Sequence, residues 1–241
     1  MGFLSNSVPV WVSPIFLIAF IIPIFMLRAV VVQGAHAANL DIGTTKRLSS
    51  GVLLFYVAFY LYVAVMSFTG IFQENTIPPK VLVYTAVPLL LFYFGYIFRS
   101  KLFWLILENV RLSSLVRLHI FRLVGVFFLL FWYYGALPKY FAFVAGFGDI
   151  FAAVTAIFVA KMIDSKAKHY KKITLIWNIV GFWDIVNVIL TAVYVTKQAL
   201  LTGDRGVLEM THFPFSLIPA FAPATIIFLH ICIFKRLKME K

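Results

Sequence analysis

Two aspartates inside long apolar stretches are the residues of this chain with the clearest capacity for chemistry. The sequence GFGDI at positions 146–150 recurs almost unchanged as GFWDI at positions 181–185, which gives Asp149 and Asp184 matching local contexts. A carboxylate in the hydrocarbon core of a membrane is costly, so each one needs a partner, a proton or a function. Paired carboxyl groups of this kind could bind or pass on a proton, a cation or a small polar ligand.

A counter-charge is available in Arg122, which lies about two turns inside the fourth predicted span and has a side chain long enough to reach the middle of the membrane. One arginine between Asp149 and Asp184 would leave one negative charge over, which suits a proton or a cation. Asn187 follows Asp184 by three residues and so shares its helix face, and Asn178 adds a second amide. We therefore predict a ligand- or ion-binding site made of these five residues.

The same polar residues could instead have a purely structural role. Buried Asp and Asn side chains hydrogen-bond between membrane helices and fix their packing. Gly146, Gly148 and Gly181 would let a neighbouring helix approach each carboxyl group closely. The sequence leaves the functional and the structural interpretation open.

Two histidines suggest a cofactor. His119 lies about one turn inside the fourth predicted span and His230 about one turn inside the seventh, both near the cytoplasmic face. Two such imidazoles could ligate a heme b, with a nearby arginine meeting the propionates. The alternative is that both lie at headgroup level without a ligand. A metal site is not predicted, because the spans contain no third histidine and the sequence contains no Cys-His cluster.

The composition excludes a soluble domain. Of the 241 residues, 63% are hydrophobic and only 12% are charged, whereas a water-facing surface needs far more charge. We interpret the net charge of +12 as loop charge that sets topology and contacts anionic lipid headgroups on the cytoplasmic side, and not as a nucleic-acid surface. The single cysteine, Cys232, cannot form an internal disulfide.

Seven apolar stretches are long enough to cross a bilayer core of ~30 Å as helices. They predict an all-α, integral membrane seven-helix bundle that forms a single transmembrane domain over residues 1–241. Asp149 and Asp184 then lie ~16 Å from either end of their spans, near the midplane and on antiparallel helices. A local two-fold axis would relate the two copies of the repeat, a pattern that transporters use. The predicted spans cover residues 10–32, 51–72, 81–98, 115–135, 138–160, 173–196 and 213–234.

The basic residues predict the orientation. With the N-terminus outside, fifteen of the 21 Lys and Arg residues fall in cytoplasmic segments and four in outer segments, so the positive-inside rule favours N-out, C-in. Segment 101–114 alternates apolar and charged residues at helical spacing, which predicts a short amphipathic helix on the cytoplasmic surface. Covalent retinal is not expected, because the seventh predicted span has no lysine before Lys235.

One resemblance concerns hydrolysis. The sequence GFGD at 146–149 resembles the Gly-x-Gly-Asp signature of intramembrane aspartyl proteases, and Trp183-Asp184 resembles their second aspartate, which often follows an aromatic residue. The sequence Pro-Ala-Phe at 219–221 is faintly similar to their Pro-Ala-Leu element. The resemblance implies a carboxylate dyad of Asp149 and Asp184 that activates water. In presenilin-like members, however, the aromatic-Asp helix precedes the Gly-x-Gly-Asp helix, whereas here it follows.

A second resemblance covers segment 122–160, which looks like an uncharacterised group of small bacterial polytopic membrane proteins. The shared elements are Arg-Leu-x-Gly at 122–125, Leu-Pro at 137–138 and Ala-Gly-x-Gly-Asp at 145–149. This resemblance implies the architecture and a bacterial inner (plasma) membrane, and it leaves the activity open.

The leading hypothesis from the sequence is a non-enzymatic membrane protein that binds or translocates a proton, a cation or a small polar ligand. An aspartyl protease-like hydrolase that uses Asp149 and Asp184 is the alternative. A heme-b electron-transfer protein comes third.

Overall fold

Helices form nearly all the regular structure of residues 7–240, the part of the chain that the computed structural model describes. Seven of these helices are long and apolar enough to cross a membrane, which confirms the predicted seven spans within the described residues. The protein is therefore an all-α integral membrane protein. In chain order the helices are α1 (Val12–Ala37), α2 (Ile42–Phe68), α3 (Leu82–Arg99), α4 (Lys101–Asn109), α5 (Leu112–Tyr133), α6 (Lys139–Asp164), α7 (Tyr170–Thr202) and α8 (Leu217–Met239).

Several helices extend beyond the apolar stretches that predict them. Helix α2 begins at Ile42 and not near residue 51, because Asp41 caps it by accepting a hydrogen bond from the backbone N–H of Thr44 at 2.9 Å. The Thr44 hydrogen bond also lowers the pKa of Asp41. Helix α7 has 33 residues and passes both predicted ends. Hydropathy locates only the apolar part of a helix, whereas capping residues set where it ends.

A helix and a break lie between α3 and α5, where the sequence predicts one amphipathic segment. The hydroxyl of Ser100 caps α4 by accepting a hydrogen bond from the backbone N–H of Phe103 at 3.4 Å. The chain is then extended at Val110, and α5 begins at Leu112, three residues before its predicted start. Of the predicted segment 101–114, α4 therefore covers Lys101–Asn109 only.

Helix α8 lies at the centre of the bundle and is the most buried of the seven spans. Its Phe221 packs against the rings of Phe20, Tyr56, Tyr60 and Phe121, with ring centroids 5.6 to 5.9 Å apart and the rings steeply inclined. Edge-to-face contacts of this kind add packing energy beyond the burial of area. They hold α1, α2 and α5 against α8.

The two ends of the bundle differ in chemistry. At one end, Arg236 donates a hydrogen bond to the backbone oxygen of Val110 at 3.0 Å, and Arg117 forms an ion pair with Asp164. We name this the basic end. At the other end lie the connecting segments 69–81 and 203–216, which we name the loop end.

A close contact between α1 and α4 makes Gly34→Ala destabilising. A Cβ atom at Gly34 would lie 2.6 Å from the Ile106 side chain and 2.9 Å from the Ile106 backbone oxygen, so α4 would have to move. We expect a loss of about 1–3 kcal/mol in the free energy of unfolding, as for other overpacked sites.

The matched control is Gly51→Ala, because no atom lies within 4 Å of a Cβ atom at Gly51. Alanine is also a better helix former than glycine. Thermal unfolding in detergent should show a lower midpoint for Gly34→Ala alone. Equal midpoints for the two variants would contradict the docking of α4 on α1.

Candidate functional site

A 3-10 segment, His119–Gly125, interrupts the middle of α5. A 3-10 helix has three residues per turn, so residues separated by three positions lie above one another on one face. His119, Arg122 and Gly125 share such a face, and each contacts a neighbouring helix. The three residues therefore point in one direction. In an α-helix, with about 3.6 residues per turn, they would point in different directions.

Arg122 is completely buried and lies between the two aspartates. Its Nε donates a hydrogen bond to Oδ1 of Asp149 at 2.7 Å, and its Nη2 forms an ion pair with Oδ2 of Asp184. Its Nη1 lies 3.5 Å from the backbone oxygen of Gly181. One guanidinium thus links α5, α6 and α7, and the predicted grouping of Arg122 with both aspartates is present in the structure.

Glycines make room for this contact between helices. A Cβ atom at Gly125 would lie 2.6 Å from Cβ of Asp149, and one at Gly148 would clash with the carboxyl group of Asp184. The position of Gly148 in the first repeat corresponds to Trp183 in the second, and Trp183 is exposed. The first copy therefore leaves space, at Gly148, for Asp184 of the second copy, whereas the second copy has a tryptophan at the matching position. The two copies are not equivalent.

Two imidazoles extend the polar cluster toward the basic end. The rings of His119 and His230 lie in contact, with centroids 4.2 Å apart. His230 Nδ1 is 2.8 Å from Oδ1 of Asn178, whose amide nitrogen donates to the backbone oxygen of His230 at 3.0 Å. Both nitrogens of His119 and Nε2 of His230 are buried without a hydrogen-bond partner. A Cβ atom at Gly181 would lie 2.7 Å from the His230 ring, so this glycine is required there.

Both histidines lie inside the bundle. Neither side chain is exposed, because α5 and α8 cross close together at Trp177 and Gly181 of α7. Rings in contact leave no space for the iron and the porphyrin plane that two axial imidazoles would have to flank. The pair therefore does not fit a heme b. Among the described residues no group of three or more His, Cys, Asp or Glu could hold a metal ion.

Asn187 does not join the cluster, contrary to the prediction. It is exposed on α7, whereas Asn178 is buried against His230. Asp184 itself lies at the edge of the cluster, with 19% of its side chain exposed. Asn187 lies further around α7 than Asp184, on the side away from the cluster, and therefore faces outward.

The charges of the cluster do not balance. One guanidinium compensates one carboxylate, so a second ionised aspartate leaves one negative charge in the buried site. The guanidinium also binds both carboxyl groups, where a protease dyad would need a water held between them. This arrangement therefore differs from the carboxylate dyad that the protease resemblance implies.

A cavity of about 80 Å³ is lined both by Asp149 of the cluster and by residues of the loop end. Asp149 lines its deep part, and Glu74 and Lys80, which form an ion pair with each other, line its other end. Pro219 and Pro223 of α8 contribute to the wall. The other wall residues are mostly apolar and include Phe128, Phe141, Ile185, Val188, Ile189, Ala192, Ala222 and Ile226.

The fold and the cluster define an integral membrane helical protein with a buried arginine–aspartate site. Residues 78–238 match the model of a family described as a domain of unknown function, DUF8737, and the chain belongs to this family. The matched region contains every residue of the cluster. No curated protein and no solved structure matches the chain.

Charge balance predicts that Arg122→Gln destabilises the protein more than Asp149→Asn or Asp184→Asn does. Without the guanidinium, two buried carboxyl groups lose their partner, and a broken buried ion pair costs about 3–5 kcal/mol. Each single Asn variant keeps one aspartate paired with Arg122. Unfolding in detergent, followed by heat or denaturant, measures the difference.

The control is the triple variant R122Q/D149N/D184N, which removes all three charges together. It should recover most of the stability that Arg122→Gln loses. A triple variant as unstable as Arg122→Gln would show that packing, and not charge, determines the effect.

Proposed function

We propose that this membrane protein binds and translocates a proton at the Arg122–Asp149–Asp184 cluster. The observation that carries the proposal is the single buried guanidinium that two carboxyl groups share. An uncompensated charge inside a membrane is costly, so a proton on one carboxyl group is the simplest way to neutralise the site. A structural network would need only one aspartate for its arginine.

A proton suits the site better than a metal cation. Metal cations such as Ca²⁺ and Mg²⁺ take several oxygen ligands, whereas Arg122 already binds one oxygen of each carboxyl group. A proton needs only one further carboxyl oxygen. A small ligand that carries its own positive charge would meet the same requirement.

Access to the site supports exchange from the loop end. The cavity reaches Asp149 from that side, and its apolar wall would keep bulk solvent and large ions out. On the opposite side of Arg122, one 3-10 turn or ~6 Å along α5, the unpartnered nitrogens of His119 and His230 supply the next proton acceptors. Movement of Arg122 away from one aspartate would let that uncompensated carboxylate take up a proton from one side, and return of the guanidinium would release the proton to the acceptor on the other side.

The direction of exchange depends on the orientation of the bundle. We propose that the loop end faces outward and the basic end faces the cytoplasm, with α4 on the cytoplasmic surface of a bacterial inner membrane. The excess of Lys and Arg at the basic end supports this orientation, as does the position of α4 at that end, where it contacts α1 through Gly34. Anionic headgroups would be the partners of those basic residues.

Single-cysteine labelling tests the orientation. The native Cys232 is buried, so background labelling should be low. Asp204 and Lys168 are both exposed, so a cysteine at either position is available for labelling. Asp204→Cys at the loop end should react with a membrane-impermeant maleimide on intact cells. Lys168→Cys at the basic end should react only after the membrane is opened. The reverse pattern would contradict an outward loop end.

Proton flux into proteoliposomes tests the function. The purified protein is reconstituted with an internal pH dye, and a potassium diffusion potential drives proton entry. Asp149→Asn and Asp184→Asn should each reduce the flux at least tenfold, because either one removes the excess carboxyl group. The control is Asp164→Asn, an acidic residue of the same helix as Asp149 that is exposed at the basic end.

Folding must be checked in parallel by thermal unfolding. Wild-type flux in a folded Asp149→Asn variant would refute the proposal and assign the cluster a structural role. If the flux required sodium or potassium on the entry side and left the internal pH unchanged, the transported ion would be that cation and not a proton.

A further inference from the structure

We propose that the groove between α1 and α2 at the basic end binds one anionic phospholipid, with its phosphate among basic side chains and an acyl chain in an adjoining apolar groove. This site lies apart from the buried cluster and does not depend on the proposed proton site, but it rests on the proposed orientation, with the basic end at the cytoplasmic face. Residues 12–68, which form both helices, also lie outside the matched family region.

The head site is a cavity of about 410 Å³ lined by Arg28, His36, Thr45, Lys46 and Ser49. Arg28 Nε donates a hydrogen bond to Ser49 Oγ at 2.7 Å, which holds the guanidinium across the two helices. Arg28 therefore bridges α1 and α2 while it remains an exposed residue. No acidic residue lines the cavity, so its charge is complementary to a phosphate.

Thr45 provides an independent indication of a ligand. The residue is 5% exposed, and its hydroxyl is buried with no hydrogen-bond partner. A buried hydroxyl without a partner is destabilising, and this one belongs to a residue that lines the basic cavity. If the Thr45 side chain turned toward the cavity, a phosphate oxygen held there by Arg28 and Lys46 would supply the missing partner.

The apolar groove continues from the head site along the same two helices. It has a volume of about 270 Å³, and Phe25 lines both it and the head site. Its walls include Leu17 and Ile21 of α1, Val57 and Leu61 of α2, and Phe213 and Leu217 near the start of α8. From Arg28 to Leu17 the helix rises ~16 Å, about half of a ~30 Å hydrocarbon core. One acyl chain of a lipid in the cytoplasmic leaflet has this reach.

The two sites together recognise an amphiphile and not an isolated ion. Basic pockets between membrane helices on the cytoplasmic side bind the headgroups of anionic lipids. A free phosphate would use the head site alone and leave the groove unused. A zwitterionic lipid would bring a choline cation next to Arg28 and Lys46.

Native mass spectrometry with thermal unfolding tests the proposal on the full-length protein in detergent. The probes are phosphatidylglycerol, phosphatidylcholine and glycerol phosphate. We expect phosphatidylglycerol to bind with one copy per chain and to raise the unfolding midpoint, since a ligand that binds the folded state stabilises it. Phosphatidylcholine binding as tight as phosphatidylglycerol binding would overturn the proposal, and so would equal binding of glycerol phosphate.

Head-site variants should weaken phosphatidylglycerol binding about tenfold or more, the effect of losing one charged hydrogen bond. The variants are Arg28→Gln and Lys46→Gln, and the matched control is Arg47→Gln, which removes an exposed charge next to the cavity but not from its lining. Thr45→Val provides a neutral test if Arg28→Gln does not fold. If Arg47→Gln weakened phosphatidylglycerol binding equally, the loss of binding would come from general surface charge, and the proposal would be overturned.

Groove variants test the acyl chain separately. Val57→Trp should fill the groove and weaken phosphatidylglycerol binding while leaving the head site intact. The control is Val65→Trp, at an exposed position of the same helix outside the groove. Unchanged binding in Val57→Trp would show that no acyl chain occupies the groove and would overturn that part of the proposal.

Discussion

The contact of Arg122 with two aspartates is the interaction on which the rest of this structure depends. A buried guanidinium needs a counter-charge, and Asp149 alone would supply it. The second carboxyl group, from Asp184, ties α7 to the same point but leaves the site with one negative charge too many. The need to neutralise a buried arginine explains one of the two ion pairs. It does not explain the second carboxyl group. The proposed binding of a proton would account for this excess.

Local backbone geometry makes the contact possible. The 3-10 segment of α5 aligns His119, Arg122 and Gly125 on one face, so histidine, arginine and the space for Asp149 follow one another along the bundle. Gly148 leaves the corresponding space for Asp184, and Gly181 leaves space for His230. The cluster is therefore a set of large polar side chains held by small residues, in the way that small residues allow membrane helices to approach closely.

Much of this architecture follows from the sequence. Hydropathy gives seven spans because the bilayer fixes the length of a crossing helix, and the rarity of charged residues inside apolar spans is enough to identify Arg122, Asp149 and Asp184. The alignment of His119 with Arg122 could not be predicted, because it requires a helical period of three, whereas a prediction of helix faces assumes a period near 3.6. The prediction for Asn187 was wrong for a related reason. Asn187 lies on the same helix face as Asp184, but the sequence does not show which side of Asp184 packs against the neighbouring helices and which side is exposed. The ends of α2 and the break at Val110 depend on capping and on tertiary contacts that hydropathy does not report.

The most direct test of the central claim is infrared spectroscopy of the purified protein during a pH titration, which detects the carbonyl band of a protonated carboxyl group. The account predicts a buried carboxyl band that gains intensity as the pH falls and that is lost in both Asp149→Asn and Asp184→Asn, because the remaining aspartate stays ionised beside Arg122. The band should persist in Asp164→Asn. Absence of the band at every pH at which the protein is folded, or a band that survives both substitutions, would contradict an exchangeable proton at this cluster.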